Sequence, residues 1–130
     1  MKTRIYLFTG FLDSGKTTFI NDTITSTDFC EGEKSLLIVS EQGEVGYNQE
    51  EIETLNCDIV YVTNEDQWTY EYFEDLRNKY NPTQVLIELN GMFNVNRLLA
   101  CSLPDGWEVV QVLTTINAQT FSLYIQNMRS

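Results

Sequence analysis

Histidine is absent from this chain. That removes the commonest transition-metal ligand and the usual general base at neutral pH. Basic residues are scarce as well: 8 Lys and Arg stand against 19 Asp and Glu, a formal charge of −11. Such a field repels nucleic acid and anionic lipid, so neither nucleic acid nor membrane is expected as a partner. Cysteines occur only at 30, 57 and 101, an odd number too widely spaced for a CxxC pair. Free thiols are expected, not a disulfide framework. No apolar run approaches the roughly 18 residues of a membrane helix. Met1-Lys2-Thr3-Arg4 leads straight into an apolar strand with no cleavage site, so the expected location is cytoplasmic.

What is present alternates between strand and helix signals. Arg4–Thr9 (RIYLFT), Ser35–Ser40 (SLLIVS), Asp58–Val62 (DIVYV), Gln84–Leu89 (QVLIEL) and Trp107–Thr115 read as strands, the second buried on both faces. Helices are expected from Lys16 to about Thr25, with Phe19, Ile20 and Ile24 inward, and from about Asp66 to Tyr80, where Trp68, Tyr72 and Leu76 repeat at i, i+4, i+8. Asn81-Pro82 should end the latter. Phe93–Cys101 reads as a short helix, and Ala118–Met128 as a last one with Phe121, Ile125 and Met128 on one side. Glu41–Glu53 is acidic, with glycines at 43 and 46, and reads as a mobile loop. The pattern predicts an α/β architecture, a mainly parallel sheet flanked by helices. With neither repeat nor linker, residues 1–130 read as a single domain.

The chemistry concentrates in Gly10-Phe11-Leu12-Asp13-Ser14-Gly15-Lys16-Thr17, a G-x-x-x-x-G-K-[ST] phosphate loop placed between a strand and an amphipathic helix. Gly10 and Gly15 let the backbone approach oxygens closely. The N–H groups of about Asp13 to Thr18 form an anion nest, and Lys16 reaches the β- and γ-phosphates. The Thr17 hydroxyl ligates Mg²⁺, and the helix dipole favours the charge. Such a loop needs a carboxylate at another strand tip to hold Mg²⁺ directly or through water. Glu88 ends QVLIEL, and Glu88-x-x-Gly91 has the spacing at which the glycine N–H meets a γ-phosphate. Glu41, at the tip of SLLIVS, is a second metal candidate, and Glu44 a weaker one. The competing readings are a solvated strand end for Glu88 and one more acid of an acidic loop for Glu41. In open α/β sheets ligands bind at the carboxyl ends of the strands. Gly10–Thr17, Glu41–Gly46, Asn64–Thr69 and Glu88–Gly91 all leave such ends.

These stretches resemble a family. GFLDSGKTT (10–18), SEQGEVG (40–46), IELNG (87–91) and TTINAQTF (114–121) are similar, in order, to motifs of the CobW/HypB/UreG group of P-loop GTPases, closest to the CobW-like branch. The resemblance carries Gly10, Asp13, Ser14, Gly15, Lys16, Thr17, Thr18 and Gly91 over as nucleotide-binding residues. It makes Lys16 and Glu88 catalytic, and Thr17, Glu41 and Glu88 the Mg²⁺ ligands. It implies a three-layer α/β P-loop NTPase fold, with residues 1–130 a single P-loop nucleotide-binding domain, complete or a truncated GTPase domain, and GTP hydrolysis coupled to metal handling, as a metallochaperone serving a metalloprotein client. The departures are specific. The CxCC stretch should fall near Asn64, where this chain reads Glu65-Asp66-Gln67-Trp68-Thr69. Ser40 replaces an asparagine, Asn117 an aspartate, and the guanine-reading [N/T]-K-x-D motif does not occur in these residues.

The reading that follows is Mg²⁺-dependent binding and slow hydrolysis of a nucleoside triphosphate, GTP by resemblance. The alternatives are a nucleotide-dependent switch without metal handling and a small P-loop kinase. The kinase fits less well, because the arginines are only 4, 77, 97 and 129, with no arginine-rich lid. The aromatic set Trp68, Tyr70, Tyr72, Phe73 and Tyr80 reads as core plus solvated edge, and Glu50, Glu51, Glu53 and Asp58 as a solvated acidic loop.

Overall fold

The strands pair in the order β3-β2-β4-β1-β5-β6. They are β1 (Thr3–Gly10), β2 (Ser35–Ser40), β3 (Cys57–Val62), β4 (Gln84–Glu88), β5 (Trp107–Thr115) and β6 (Tyr124–Gln126). The computed structural model describes residues 2–10, 20–24, 32–40, 49–63, 65–89, 95–115 and 124–126. The first five strands are mutually parallel, and β6 lies antiparallel against β5. The helical residues are 20–24 (α1), Gln49–Glu53 (α2), Tyr70–Tyr80 (α3) and Val95–Ala100 (α4), with a 3₁₀ turn at Glu65–Gln67.

The order of pairing decides which face each helix covers. From β1 to β2 to β3 the chain moves one way across the sheet, and from β3 to β4 to β5 it moves back. Right-handed crossovers then send α1 and α2 to one face and α3 and α4 to the other. Two cores confirm this. Ile20, Ile24 and Ile52 pack with Phe8, Leu37, Val39, Leu86 and Leu113. Phe73, Leu76 and Leu98 pack with Ile5, Leu7, Leu36, Ile38, Val85 and Ile87. Neighbouring residues of β1, β2 and β4 alternate between the two sets, as a pleat requires. All of Ser35–Ser40 is buried, as expected of a strand covered on both faces. The fold is thus the expected three-layer α/β P-loop NTPase architecture.

Local signals explain most boundaries. Thr69 caps α3, its hydroxyl accepting from the Tyr72 N–H at 3.2 Å. Asn81 closes the helix in the left-handed region (φ 47°), and Pro82 follows. Gly106 takes φ 88° in the turn before β5.

Three expectations need correction. Residues 49–53 of the supposed loop are helical, because glutamates are good helix formers and Ile52, with no exposed surface, anchors the turn in the core. The helix expected from Asp66 starts at Tyr70 instead. Trp68 is buried but lies outside the helix, and the buried helical pair is Phe73 and Leu76. Residues 124–126, expected in a helix, form β6, since the free side of β5 offers a ladder that outweighs a weak helical period. The remaining residues of that expected helix lie outside the described residues.

Candidate functional site

Because β1 to β4 are parallel, Gly10, Ser40, Val62 and Glu88 end their strands at one edge of the sheet. In register, Tyr61, Val39, Glu88, Phe8 and Leu113 form a row across five strands. Gly10 lies two residues beyond Phe8. With strands about 4.8 Å apart and a rise of about 3.3 Å per residue, its Cα is about 8 Å from that of Glu88. β4 sits between β1 and β2, so Glu88 lies between the strand ends at Gly10 and Ser40. The pleat turns Glu88 to the face of Leu86 and Phe8, which α1 covers, the helix into which the phosphate loop leads.

Glu88 is 6% exposed, so it is not a solvated strand end. Its carbonyl accepts from the Ser40 hydroxyl at 2.8 Å. The next residue, Leu89, donates its N–H to the Phe8 carbonyl at 2.8 Å. A buried carboxylate costs free energy unless a cation or donors compensate it, and its hard oxygens suit Mg²⁺. The donor chemistry at this edge therefore fits the cation that the phosphate loop implies. Gly10 is the last residue of β1. Asp13, Ser14, Gly15, Lys16, Thr17, Thr18, Glu41 and Gly91 lie outside the described residues, so the structure brings only Gly10 and Glu88 of the expected set together.

The model of the CobW/HypB/UreG nucleotide-binding domain matches residues 4–129. The chain belongs to this family. No curated protein and no solved structure matches it. The chain is therefore a nucleotide-binding P-loop domain. The stretch where the CobW/HypB/UreG resemblance puts CxCC packs at the start of α3. Here Gln67 accepts the Thr63 N–H through its side chain at 3.1 Å, and the Thr69 N–H through its carbonyl at 2.8 Å. Trp68 stacks on Phe73, with centroids 5.7 Å apart and planes 8° from parallel. Arg97 of α4 meets Asp66 at 2.6 Å. These residues thus cap and anchor α3.

The thiols lie elsewhere. Cys57 is buried at the amino end of β3, a strand length of about 16 Å from the candidate edge. Cys101 follows α4, and burial pushes its thiol up, away from the thiolate a metal needs. Cys30 lies outside the described residues. Among the described residues no three His, Cys, Asp or Glu side chains group to hold a metal ion. No helix among them is long and apolar enough to cross a membrane.

Sequence reasoning gave no role to the Ser40 hydroxyl or to the Asp66–Arg97 pair. The first had a signal: a serine closing an apolar run that is otherwise all core. The second had none, since nothing in sequence joins residues 66 and 97.

Proposed function

We propose that this domain binds a nucleoside triphosphate, GTP by family resemblance, with Mg²⁺ and hydrolyses it slowly. The observation that carries the reading is the buried Glu88 at the tip of the strand beside the one that ends in the phosphate loop. In this reading Gly10 and Gly15 admit the phosphates, and the N–H groups of residues 13–18 and Gly91 donate to them. Lys16 neutralises the β- and γ-oxygens, and the Thr17 hydroxyl, Glu41 and Glu88 hold the cation. Mg²⁺, when bound, supplies charge neutralisation at the β- and γ-phosphates. Glu88 orients the attacking water. The water oxygen bonds to the γ-phosphorus, and the bond to the β–γ bridging oxygen breaks with its electron pair going to the diphosphate. The water proton leaves to solvent through the carboxylate. Delivery of a transition metal to a client, the CobW-like role, would draw its ligands from outside the described residues.

Lys16→Ala tests the reading. The lysine is a point charge on the phosphates, so its loss should remove the thermal stabilisation by Mg²⁺-GTP and leave the ligand-free melting temperature unchanged. A variant stabilised as much as the parent would sink the phosphate-loop assignment.

A further inference from the structure

The peptide unit between Glu88 and Leu89 is held from both neighbouring strands. Its carbonyl accepts from the Ser40 hydroxyl of β2, and its N–H donates to the Phe8 carbonyl of β1, each at 2.8 Å. Carbonyl and N–H point opposite ways in a planar peptide, so a bond to each side fixes the plane. The fixed plane lies at the point where the chain leaves the sheet, since the β2–β4 register ends at Val39↔Glu88. A carbonyl has two lone pairs, so the hydroxyl adds to whatever the ladder supplies. Ser40 is 4% exposed and Glu88 6%, so little water competes for this bond. The bond also joins the roots of two segments, because Ser40 immediately precedes Glu41 and Glu88 opens Glu88-x-x-Gly91.

We propose that Ser40 is a positioning residue of the nucleotide site. Its hydroxyl, bonded to the Glu88 carbonyl, sets the strand tip that carries the carboxylate and ties that tip to the end of β2. The proposal rests on the role given to Glu88 above. Misplacing a reacting group by about 1 Å can cost about a hundredfold in rate, so a tip fixed from both sides has kinetic consequences.

The test uses Ser40→Ala, Ser40→Thr, Glu88→Gln and the double variant Ser40→Ala/Glu88→Gln on the full chain. Three quantities are read: phosphate release from GTP, the Mg²⁺ concentration at half-maximal binding of a fluorescent GTP analogue, and affinity for that analogue in EDTA. Ser40→Ala should lower kcat about tenfold, or about 1.4 kcal/mol. It should raise the Mg²⁺ midpoint severalfold and leave the Mg²⁺-free affinity unchanged. Ser40→Thr, which keeps the hydroxyl, should restore both. On the Glu88→Gln background the alanine should cost nothing further, because no carboxylate remains to be positioned. If the alanine variant fails to fold, Ser40→Cys, of similar size but a much weaker donor, takes its place. A lowered melting temperature with parental kcat and Mg²⁺ midpoint would leave Ser40 purely structural and overturn the proposal. So would a threonine variant as impaired as the alanine, or independent losses in the double variant. Parental turnover in Glu88→Gln would instead overturn the role of Glu88 itself. Loss there with a parental Ser40→Ala overturns only that of Ser40.

Discussion

Glu88→Gln should separate holding the nucleotide from turning it over. The amide has the shape of the carboxyl, and the two bonds that fix the strand tip are made by backbone atoms of residues 88 and 89, so they survive the change. Glu88 is 6% exposed, and the amide fills the same buried volume, so the variant should fold without Mg²⁺. With Mg²⁺-GTP at about 100 times its Kd, the parent should gain about 2.7 kcal/mol. For a domain of this size that is a rise of about 10 °C, at about 4 °C per kcal/mol. The variant keeps the N–H groups and lysine that carry most of the phosphate contact. A fivefold weaker Kd would remove about 1 kcal/mol of that gain, or about 4 °C. Turnover should fall further, by about a hundredfold to a thousandfold, or about 2.7–4 kcal/mol, the cost of removing one group aimed at the developing charge. The assays are phosphate release at saturating Mg²⁺-GTP and thermal melts with and without Mg²⁺. Turnover within about threefold of the parent would refute the assignment and make Glu41 the better candidate.

Three further outcomes are expected. Within these residues GTP and ATP should bind with Mg²⁺ within about tenfold of each other, or about 1.4 kcal/mol, because phosphates and cation are common to both; a hundredfold preference in titration would reveal a base-reading residue not identified above. Zn²⁺ should bind only weakly, since residues 65–69 present oxygens, an amide and an indole where a tetrahedral site wants sulfur or imidazole; a stoichiometric submicromolar site by calorimetry would overturn this. Glu33 accepts from the Thr83 hydroxyl at 2.8 Å and from Arg4 at 2.7 Å, and these partners hold its pKa below the ordinary 4.5. Its stabilising contribution is therefore present above that value and lost as pH falls through the lowered one. The melting-temperature advantage of the parent over Glu33→Gln should shrink between about pH 5 and pH 3, and a gap constant down to pH 3 would contradict the assigned pairing.

The parts of the fold legible in sequence were those where one physical signal dominates. SLLIVS is short, with four consecutive apolar residues between two serines, so it reads as a strand buried on both faces, and all six residues are buried. Glu88 at the tip of QVLIEL follows from the same logic. Where two signals compete, sequence alone decides badly. Glu41–Glu53 reads as a loop because of its glycines and charge, but Gln49–Glu53 is made of good helix formers and Ile52 reaches the core, so those five residues are helical. Trp68 matched a helical period with Tyr72 and Leu76, yet it packs from the turn before the helix, stacked on Phe73. Tyr124–Gln126 pairs with β5 because a neighbouring strand was available, a tertiary fact with no local sign. The Ser40 bond spans 48 residues of sequence and exists only once β2 and β4 are neighbours.

Two chemistries come with a CobW-like domain, phosphate binding and metal handling, and they make different demands on the sheet. Phosphate binding needs backbone N–H groups, a lysine and a hard oxygen ligand at the carboxyl edge, and Gly10 and the buried Glu88 stand there. Metal handling by thiolates needs several sulfur ligands brought together. The described cysteines are at the amino end of β3 and just beyond α4. Where the family pattern has CxCC, the chain spends Gln67, Trp68 and Thr69 on capping and anchoring α3. Restoring cysteines there would therefore remove a cap and a buried indole along with installing ligands. The two roles compete for the same residues, and in this chain those residues serve the fold.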